Sequence, residues 1–291
     1  MKVIRIFVLC IAMASPGSAQ FTYRSTSKQD SKPVYSKVEL YLSQPYELID
    51  IPTASLVNSG DFIAGLRFYE NGSLLGRLSV GLSRKMMFGV SFSGERIIGG
   101  DAVDWNDTPG VQIAYRIVDE SLMFPALTLG LDTQGYGKYW QQNDYRDMGI
   151  IGESETVDPN QYMVDRYAIK PRGFYLVGSK GYQSFRNVDL HAGVSYSTDT
   201  NDPDKDPTIF MGIDIELSRE VALIYEYDFG LNDDTIHYAN NGNGYMNIGV
   251  RLAFPQSITV EFDLKNLLAN ESQFSGLRRI LKLYYHGYIV K

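Results

Sequence analysis

Charged side chains stand at alternate positions within apolar segments of this 291-residue sequence, where they could line an enclosed interior. Alternate residues of a β-strand share one face, so the charges would lie on one side and their apolar neighbours on the other. A charge in a confined interior must find a partner, because burying it alone is costly. The candidates are Arg67, Arg77, Arg116, Asp214, Glu216, Glu226, Asp228, Arg251, Glu261, Asp263, Lys265 and Lys282.

Three kinds of chemistry fit this charged set. The structural interpretation, which we favour, is an interior filled by ion pairs. The functional alternative is an acid-lined path for cations or for a polar ligand. A carboxylate pair for glycoside cleavage is a third option, although no Asp/Glu pair stands out. Arg251 and Glu261 are expected to lie opposite each other if the turn near Pro255 preserves the facing parity.

The three histidines, His191, His237 and His286, offer no obvious nucleophile and base. His191 and Ser195 would share one strand face, but the normal rise separates them by about 13 Å. A nucleophile and its base must be within hydrogen-bond reach, which this spacing forbids. The sequence therefore predicts no catalytic residues and a protein that is not an enzyme, with a hydrolase as the weakest alternative.

No metal or cofactor is expected. The segment 199–206 is rich in Asp, but it lacks the spacing and the closing Glu of an EF-hand, so we expect a solvated loop. The single cysteine excludes a cysteine-built zinc site and a disulfide scaffold. A second segment, 135–170, carries Trp140 and several tyrosines that would suit sugar stacking. We favour loop packing or a membrane-interface girdle for these aromatic residues.

The segments that must position these residues alternate with a period of two, which is typical of β-strands. In one of them Ile258, Val260, Phe262 and Leu264 alternate with polar residues. Twelve strands are predicted, at 62–69, 74–82, 86–94, 110–118, 122–134, 171–179, 187–197, 208–218, 221–231, 244–254, 257–265 and 277–290.

The connections between these strands indicate a membrane barrel. After the first hairpin they mostly alternate short and long, as the periplasmic turns and outer loops of outer-membrane barrels do. An even number of strands also returns both chain ends to the short-turn side. The face opposite the apolar one is rich in Gly and Ser, which suits a narrow lumen better than a soluble surface. The alternative is a soluble periplasmic sandwich or barrel with its apolar face inside.

Composition and the first residues agree with an exported envelope protein. Hydrophobic residues make up 44% of the chain, which excludes a disordered protein, and the net charge of −7 excludes nonspecific nucleic-acid binding. Residues 1–19 have the basic start, apolar core and small-residue end of a signal peptide. Residues 20–61 are then a periplasmic extension or a plug, and 62–291 form the barrel. No transmembrane helix is expected, since no later segment has about eighteen consecutive apolar residues.

Several motifs resemble the YjbH-type family of outer-membrane proteins, mainly over residues 48–138. The distinctive pieces are Asp104-Trp105-Asn106 and the sequence at 134–137, Gln-Gly-Tyr-Gly. The segments 49–54, 65–69 and 82–89 also resemble that family, whose longer members are much larger than this chain. The resemblance implies an outer-membrane barrel associated with exopolysaccharide, and it brings no catalytic residues.

The sequence thus predicts an all-β fold, a single antiparallel transmembrane β-barrel of about twelve strands, in the bacterial outer membrane. The first functional interpretation is a non-enzymatic protein that supports exopolysaccharide or envelope production or export. The alternative is a narrow passive channel for cations or small polar solutes. Expected partners are outer-membrane lipid, envelope or polysaccharide-export proteins and polysaccharide, with no nucleic acid.

Overall fold

The computed structural model describes residues 45–99, 102–106, 108–182, 188–201, 203–234, 241–254, 257–270 and 277–289. The predicted signal peptide and the polar stretch that follows it lie outside these ranges, as does His237.

Fifteen strands are formed in the described ranges, and most of them alternate apolar and polar residues as the sequence predicts. They are β1 Asp61–Phe68, β2 Leu74–Ser83, β3 Met86–Glu95, β4 Asp104–Trp105, β5 Gly110–Val118, β6 Ala126–Asp132, β7 Tyr136–Trp140, β8 Arg166–Ile169, β9 Gly173–Tyr182, β10 Val188–Tyr196, β11 Thr208–Glu216, β12 Val221–Asp228, β13 Tyr245–Phe254, β14 Ile258–Lys265 and β15 Arg278–Tyr288. A six-residue helix, α1 Gln142–Asp147, and two 3-10 turns, Glu70–Gly72 and Leu231–Asp233, complete the described elements.

Twelve of these strands close into one antiparallel barrel, which confirms the predicted fold class. The strands β4, β7 and β8 stand outside the ring, and every other strand pairs with two neighbours. The barrel closes where β1 pairs with β15, so that Arg67 lies opposite Lys282. Closure removes the exposed sheet edges, as a membrane-spanning sheet requires.

The two faces of the barrel differ sharply in polarity. Each of the twelve strands exposes at least one large apolar side chain to the outside, such as Leu66, Phe92, Leu176 and Phe262. The inner face holds buried polar and charged residues. A soluble barrel would bury the apolar face instead, so the chain is a barrel of the bacterial outer membrane.

After the first hairpin, whose short turn lies at the outer end, the connections sort by length to the two ends of the barrel. The strand bounds leave short connections after β2, β9, β11 and β13, and long ones after β3, β6, β12 and β14. The connection after β5 is longer than predicted, because Ser121 and Phe124 form a turn with an N–H···O=C distance of 3.0 Å before β6 begins. The short-connection end is the periplasmic end, and the long-loop end is the outer end.

The longest outer loop folds into a small unit of its own between β6 and β9. Strands β7 and β8 pair with each other, and α1 lies between them in the chain. Tyr145 packs against Trp140 with a ring-centroid distance of 5.6 Å, and its hydroxyl donates to the carbonyl of Met163 at 2.7 Å. The aromatic residues of this loop therefore pack together, as the favoured interpretation predicts. No helix among the described residues is long and apolar enough to cross a bilayer.

Candidate functional site

Residues 45–57, here called the plug, lie inside the barrel lumen. They form a tight hairpin in which Thr53 N donates to Tyr46 O at 3.0 Å and Leu48 N donates to Ile51 O at 2.9 Å. Both ends of the hairpin face the periplasmic end of the barrel, because the exit near Asn58 reaches Gly81 at the end of β2. The tip, residues 48–51, points toward the outer end.

One side of the plug is apolar and packs against the barrel wall. Leu48, Ile49, Ile51 and Ala54 are fully buried, in a cluster with side chains from β6, β9, β11 and β12. Two wall glycines make this approach possible. A Cβ at Gly212 would lie 2.4 Å from Leu48 Cδ1, and one at Gly249 would lie 2.3 Å from Asp263 Oδ1. Side chains at these two positions would collide with the plug or with the charges that surround it.

Glu226 is a carboxylate acceptor for the plug tip. Its side chain accepts the backbone N–H groups of Ile49, Asp50 and Ile51 at 2.9–3.1 Å, and a further hydrogen bond from Asn247 at 2.7 Å. Successive N–H groups that converge on one anion form a nest, which stabilises the negative charge. The buried Glu226 is thereby satisfied by the plug backbone rather than by a cation.

The two carboxylates of the plug pair with cations of the wall. Asp50 contacts Arg67 and lies 2.5 Å from Lys265 Nζ. Glu47 lies 2.9 Å from Arg77 and accepts the hydroxyl of Tyr284 at 3.1 Å.

The plug carbonyls are held by further cations from the wall. Lys282 Nζ donates to Ile49 O at 2.9 Å, and Arg172 Nε donates to Asp50 O at 3.2 Å. Lys282 also pairs with Glu261 at 2.6 Å, and Glu261 pairs with Arg251 at 2.5 Å. This chain of contacts joins the plug tip to β14, β15 and β13, so the wall charges and the plug form one buried network.

On the return arm of the hairpin, after the tip, Ala54 contacts a second cluster of polar side chains. Its carbonyl accepts Arg116 at 2.6 Å and Thr128 at 2.8 Å, and its N–H donates to Ser179 Oγ at 2.8 Å. Ser179 Oγ also lies 2.7 Å from His191 Nδ1. These contacts come from β5, β6, β9 and β10, on the opposite side of the barrel from the closing pair.

Ser179, His191 and Asp214 have the connectivity of a nucleophile, base and orienting acid. His191 Nε2 lies 2.7 Å from Asp214 Oδ1, and all three residues are buried. Ser179 Oγ, however, already accepts the N–H of Ala54, and the plug covers it. In the plugged barrel the three residues connect the plug to the wall, with no access for a substrate.

All twelve predicted charged residues face the interior, and seven of them contact the plug directly. The seven are Arg67, Arg77, Arg116, Glu226, Arg251, Lys265 and Lys282. Glu261 and Asp263 pair with Lys282. Asp214 contacts His191, and Asp228 pairs with Arg172, so these four carboxylates are linked to the plug through another side chain. Glu216 lies at the periplasmic end of β11 and is partly exposed. Arg251 and Glu261 are cross-strand partners, the pairing expected from the facing parity.

Sequence reasoning missed the residues that belong to the plug and those that pair across distant strands. Asp50 and Glu47 precede the barrel, so no alternation identifies them. Arg172 falls within the predicted strand 171–179, but alternation groups it with the outward-facing Phe174 and Leu176. The one available signal for the plug is the cluster of Leu48, Ile49 and Ile51 around a single carboxylate, ahead of the first strand. The sequence pairs His191 with Ser195 on its own strand, whereas the partners of His191 in the structure, Ser179 and Asp214, lie on the two neighbouring strands.

One residue of the acidic loop 199–206 is less solvated than expected, while most of the other described residues of the loop are exposed. Asp204 is 3% exposed, and its backbone carbonyl accepts Lys170 Nζ at 2.6 Å. Asp199 accepts the N–H of Tyr167 at 3.0 Å. The Asp204 carboxylate accepts the N–H of Asp234 at 2.9 Å. Both aspartates therefore organise the outer loops, and within the described residues no cluster of three or more metal-ligating side chains is formed.

The outer loop unit is expected to lose stability at alkaline pH. The pKa of Tyr145 is raised to about 12, mainly by burial and secondly by the charge of Asp144. The pKa of Tyr167 is also raised to about 12, mainly by burial and secondly by the charge of Asp199. Because the folded pKa exceeds the unfolded value of about 10, the stabilisation is complete below pH 10 and is lost as the pH rises to about 12. In a Trp105→Phe variant, Trp140 emission should change between about pH 10 and 12. A change completed below pH 10 would contradict this assignment.

No family model matches the chain, and no curated protein matches it. Solved structures with a similar architecture include the KdgM porin, with a TM-score of 0.43 at 10% identity over 77% of this chain and 98% of that chain. The NanC porin has a TM-score of 0.40 at 10% identity over 79% and 99% of the two chains. Omp33 of Acinetobacter baumannii has a TM-score of 0.41 at 7% identity over 80% and 100%. Similarity this low assigns no function to the chain, and its fold rests on its own strand pairing.

Proposed function

We propose that this protein is a passive, non-enzymatic channel of the outer membrane, closed by its own plug, which conducts small polar solutes when residues 45–57 withdraw toward the periplasm. The observation that carries the proposal is the polar character of the attachment between plug and wall. Eight wall charges contact the plug, and six of them bind its backbone.

Polar attachment favours a removable plug over a permanent filling. Buried ion pairs contribute little net stability, since water solvates the same charges when it enters. A lumen that held only apolar side chains would resist hydration, whereas a lumen lined by Arg67, Lys282 and Glu226 would accept it. The periplasmic attachment of the hairpin also gives it a direction in which to leave.

Support of exopolysaccharide production, which the YjbH resemblance implies, stays a prediction. No contact among the described residues bears on that role. The cation preference considered for the channel is not part of the present proposal, because cations of the wall surround the plug tip.

An Asp50→Asn variant tests the proposal. In the plugged state Arg67 and Lys265 would lose their carboxylate, whereas in the open state water would solvate them. The closed state should therefore be selectively destabilised relative to the open state. A destabilisation of about 1.4 kcal/mol would raise the ratio of open to closed protein roughly tenfold. Solute uptake into proteoliposomes measures this change.

The control for this variant is Glu153→Gln, which removes one carboxylate from an exposed loop position. It should leave uptake unchanged. If Asp50→Asn folds normally and its uptake matches that of the Glu153→Gln control, the plug does not gate the lumen.

A further inference from the structure

Three buried asparagines connect the plug tip to the outer loops of the barrel. Asn247 lies in β13, and Asn266 and Asn270 lie in the turn that follows β14. Each of the three has at most 2% of its surface exposed. We call these residues the asparagine relay. A buried amide side chain has an acceptor and donors to satisfy, so its partners show which parts of the fold it holds together.

The inner end of the asparagine relay is the carboxylate that holds the plug tip. Asn247 Nδ2 donates to Glu226 Oε1 at 2.7 Å, and the same oxygen accepts the N–H of Asp50 at 3.0 Å. With Oε1 held in this way, Oε2 accepts the N–H groups of Ile49 and Ile51 at 3.0 and 3.1 Å. Asn247 therefore orients the carboxylate toward the plug, and it acts on the plug through Glu226.

The middle of the asparagine relay consists of backbone N–H groups that donate to side-chain oxygens. Asn247 Oδ1 accepts the N–H of Asn266 at 2.9 Å, and Asn266 Oδ1 accepts the N–H of Asn270 at 2.6 Å. A backbone N–H can only donate, so these bonds fix which atom of each side-chain amide is the oxygen. Asn247 thus binds the plug side with its Nδ2 and the outer turn with its Oδ1, through one planar group.

The outer end of the asparagine relay reaches the solvent at the loop between β12 and β13. Asn270 Oδ1 accepts the N–H of Asn243 at 2.7 Å, and the backbone carbonyl of Asn270 accepts the N–H of Asn241 at 2.6 Å. Asn241 Nδ2 also donates to the carbonyl of Ala269 at 2.9 Å. Asn241 and Asn243 are exposed. A continuous series of hydrogen bonds therefore runs from the outer surface of the barrel to the plug tip.

We infer that Asn247, Asn266 and Asn270 are positioning residues for the plug, so that the outer loops stabilise the closed state from the cell surface. This inference deepens the proposed channel function, and its effect on transport rests on that function. Each link has the modest strength of a neutral hydrogen bond, but bonds in a buried chain polarise one another. Because coupling is reciprocal, release of the outer loops favours withdrawal of the plug, and withdrawal loosens the outer loops by the same factor.

An Asn266→Gly variant breaks the asparagine relay in its middle without straining the backbone. Asn266 has a φ of 61°, a left-handed conformation that glycine adopts readily. Within the described residues its Nδ2 has no hydrogen-bond partner, so the variant removes one side-chain hydrogen bond, the one from Asn270 N–H. The matched control is Asn71→Gly, at an exposed asparagine with a φ of 56° in the turn after β1. Both variants gain the same freedom in the unfolded chain, and only Asn266→Gly changes the relay.

Two measurements on the intact protein in lipid vesicles report the state of the plug. Amide hydrogen exchange, read by mass spectrometry, measures how often residues 49–51 release Glu226. Solute uptake measures how often the lumen opens. Asn266→Gly should raise the exchange rate of the plug tip and the uptake rate about three- to tenfold, the effect of one lost hydrogen bond. Asn71→Gly should change neither rate.

A double variant distinguishes the asparagine relay from a general loss of stability. Glu226→Ala removes the carboxylate at the inner end, so the plug tip no longer has a link to the outer turn. Adding Asn266→Gly to Glu226→Ala should then cause no further increase in exchange at the plug tip. A merely structural role for Asn266 would instead give the same fold-increase in both backgrounds.

The outcomes separate the asparagine relay from the channel. If Asn266→Gly matches the Asn71→Gly control in both measurements, or adds its full effect to Glu226→Ala, the relay is overturned. Increased uptake by Asp50→Asn in that case leaves the channel in place. If Asn266→Gly accelerates exchange at the plug tip but no variant takes up solute, Asp50→Asn included, the relay is supported and the proposed channel is refuted.

Discussion

A chain that lacks residues 20–57 is expected to form a steadily open pore in a planar bilayer, while the intact chain stays mostly closed. The plug fills the lumen with fully buried side chains, among them Leu48, Ile49 and Ile51. Without them the passage is lined by wall charges that water solvates, so ion flux should rise at least about tenfold.

Deletion of the plug should leave the barrel itself intact. The ring closes through β1 and β15, which begin after the deleted segment and pair along Asp61–Phe68. The wall cations that bind Asp50 and Glu47 lose those partners, but they face water rather than protein. Heat-dependent mobility on detergent gels checks that the shortened chain has folded.

Point variants at the plug tip provide the internal comparison for the deletion. Asp50→Asn should give intermittent openings, and the deletion should give continuous ones. A shortened chain that folds and remains silent would refute the plugged-channel proposal, because it would mean that the wall side chains fill the lumen without the plug. The protein would then act through its loops and partners.

Replacement of Lys282 by Met is expected to be the most destabilising single change in the barrel wall. Lys282 Nζ lies 2.6 Å from Glu261 and 3.1 Å from Asp263, and it donates to two plug carbonyls. Its loss leaves a buried carboxylate without its cation, which costs about 3–5 kcal/mol. Urea unfolding of the protein in phospholipid vesicles measures this loss.

Two further variants identify the cause of the Lys282 effect. Adding Asp263→Asn to Lys282→Met should recover part of the stability, since a neutral amide needs no counter-charge. Lys205→Met removes an exposed lysine and should change the unfolding free energy by less than about 0.5 kcal/mol. A Lys282→Met protein as stable as the Lys205→Met control would show that the buried network contributes nothing to folding.

The sequence alone was sufficient for the barrel. Alternation with a period of two is a local property of each strand, so residues such as those of β14 reveal their inner and outer faces without knowledge of their neighbours. Turn residues and the order of short and long connections are equally local. Together they predict twelve strands and the membrane location, and they identify charged residues that all turn inward.

The partners of those charges depend on long-range contacts. His191 meets Ser179 and Asp214 only because the registers of β9, β10 and β11 align them. Nothing within a single strand specifies that register, since a shift of two residues preserves every face.

The position of the plug was the other feature that only the tertiary structure decided. The hairpin of residues 45–57 is held in the lumen by contacts with strands up to 234 positions away, such as the contact between Leu48 and Lys282. Because residues 45–57 have no periodicity, the sequence is equally compatible with a periplasmic extension and with a plug. The conformation of this segment is set by the barrel wall that encloses it. The sequence by itself determined which charges enter the lumen, and the tertiary structure decided that they bind a plug, since burial leaves them no water with which to pair.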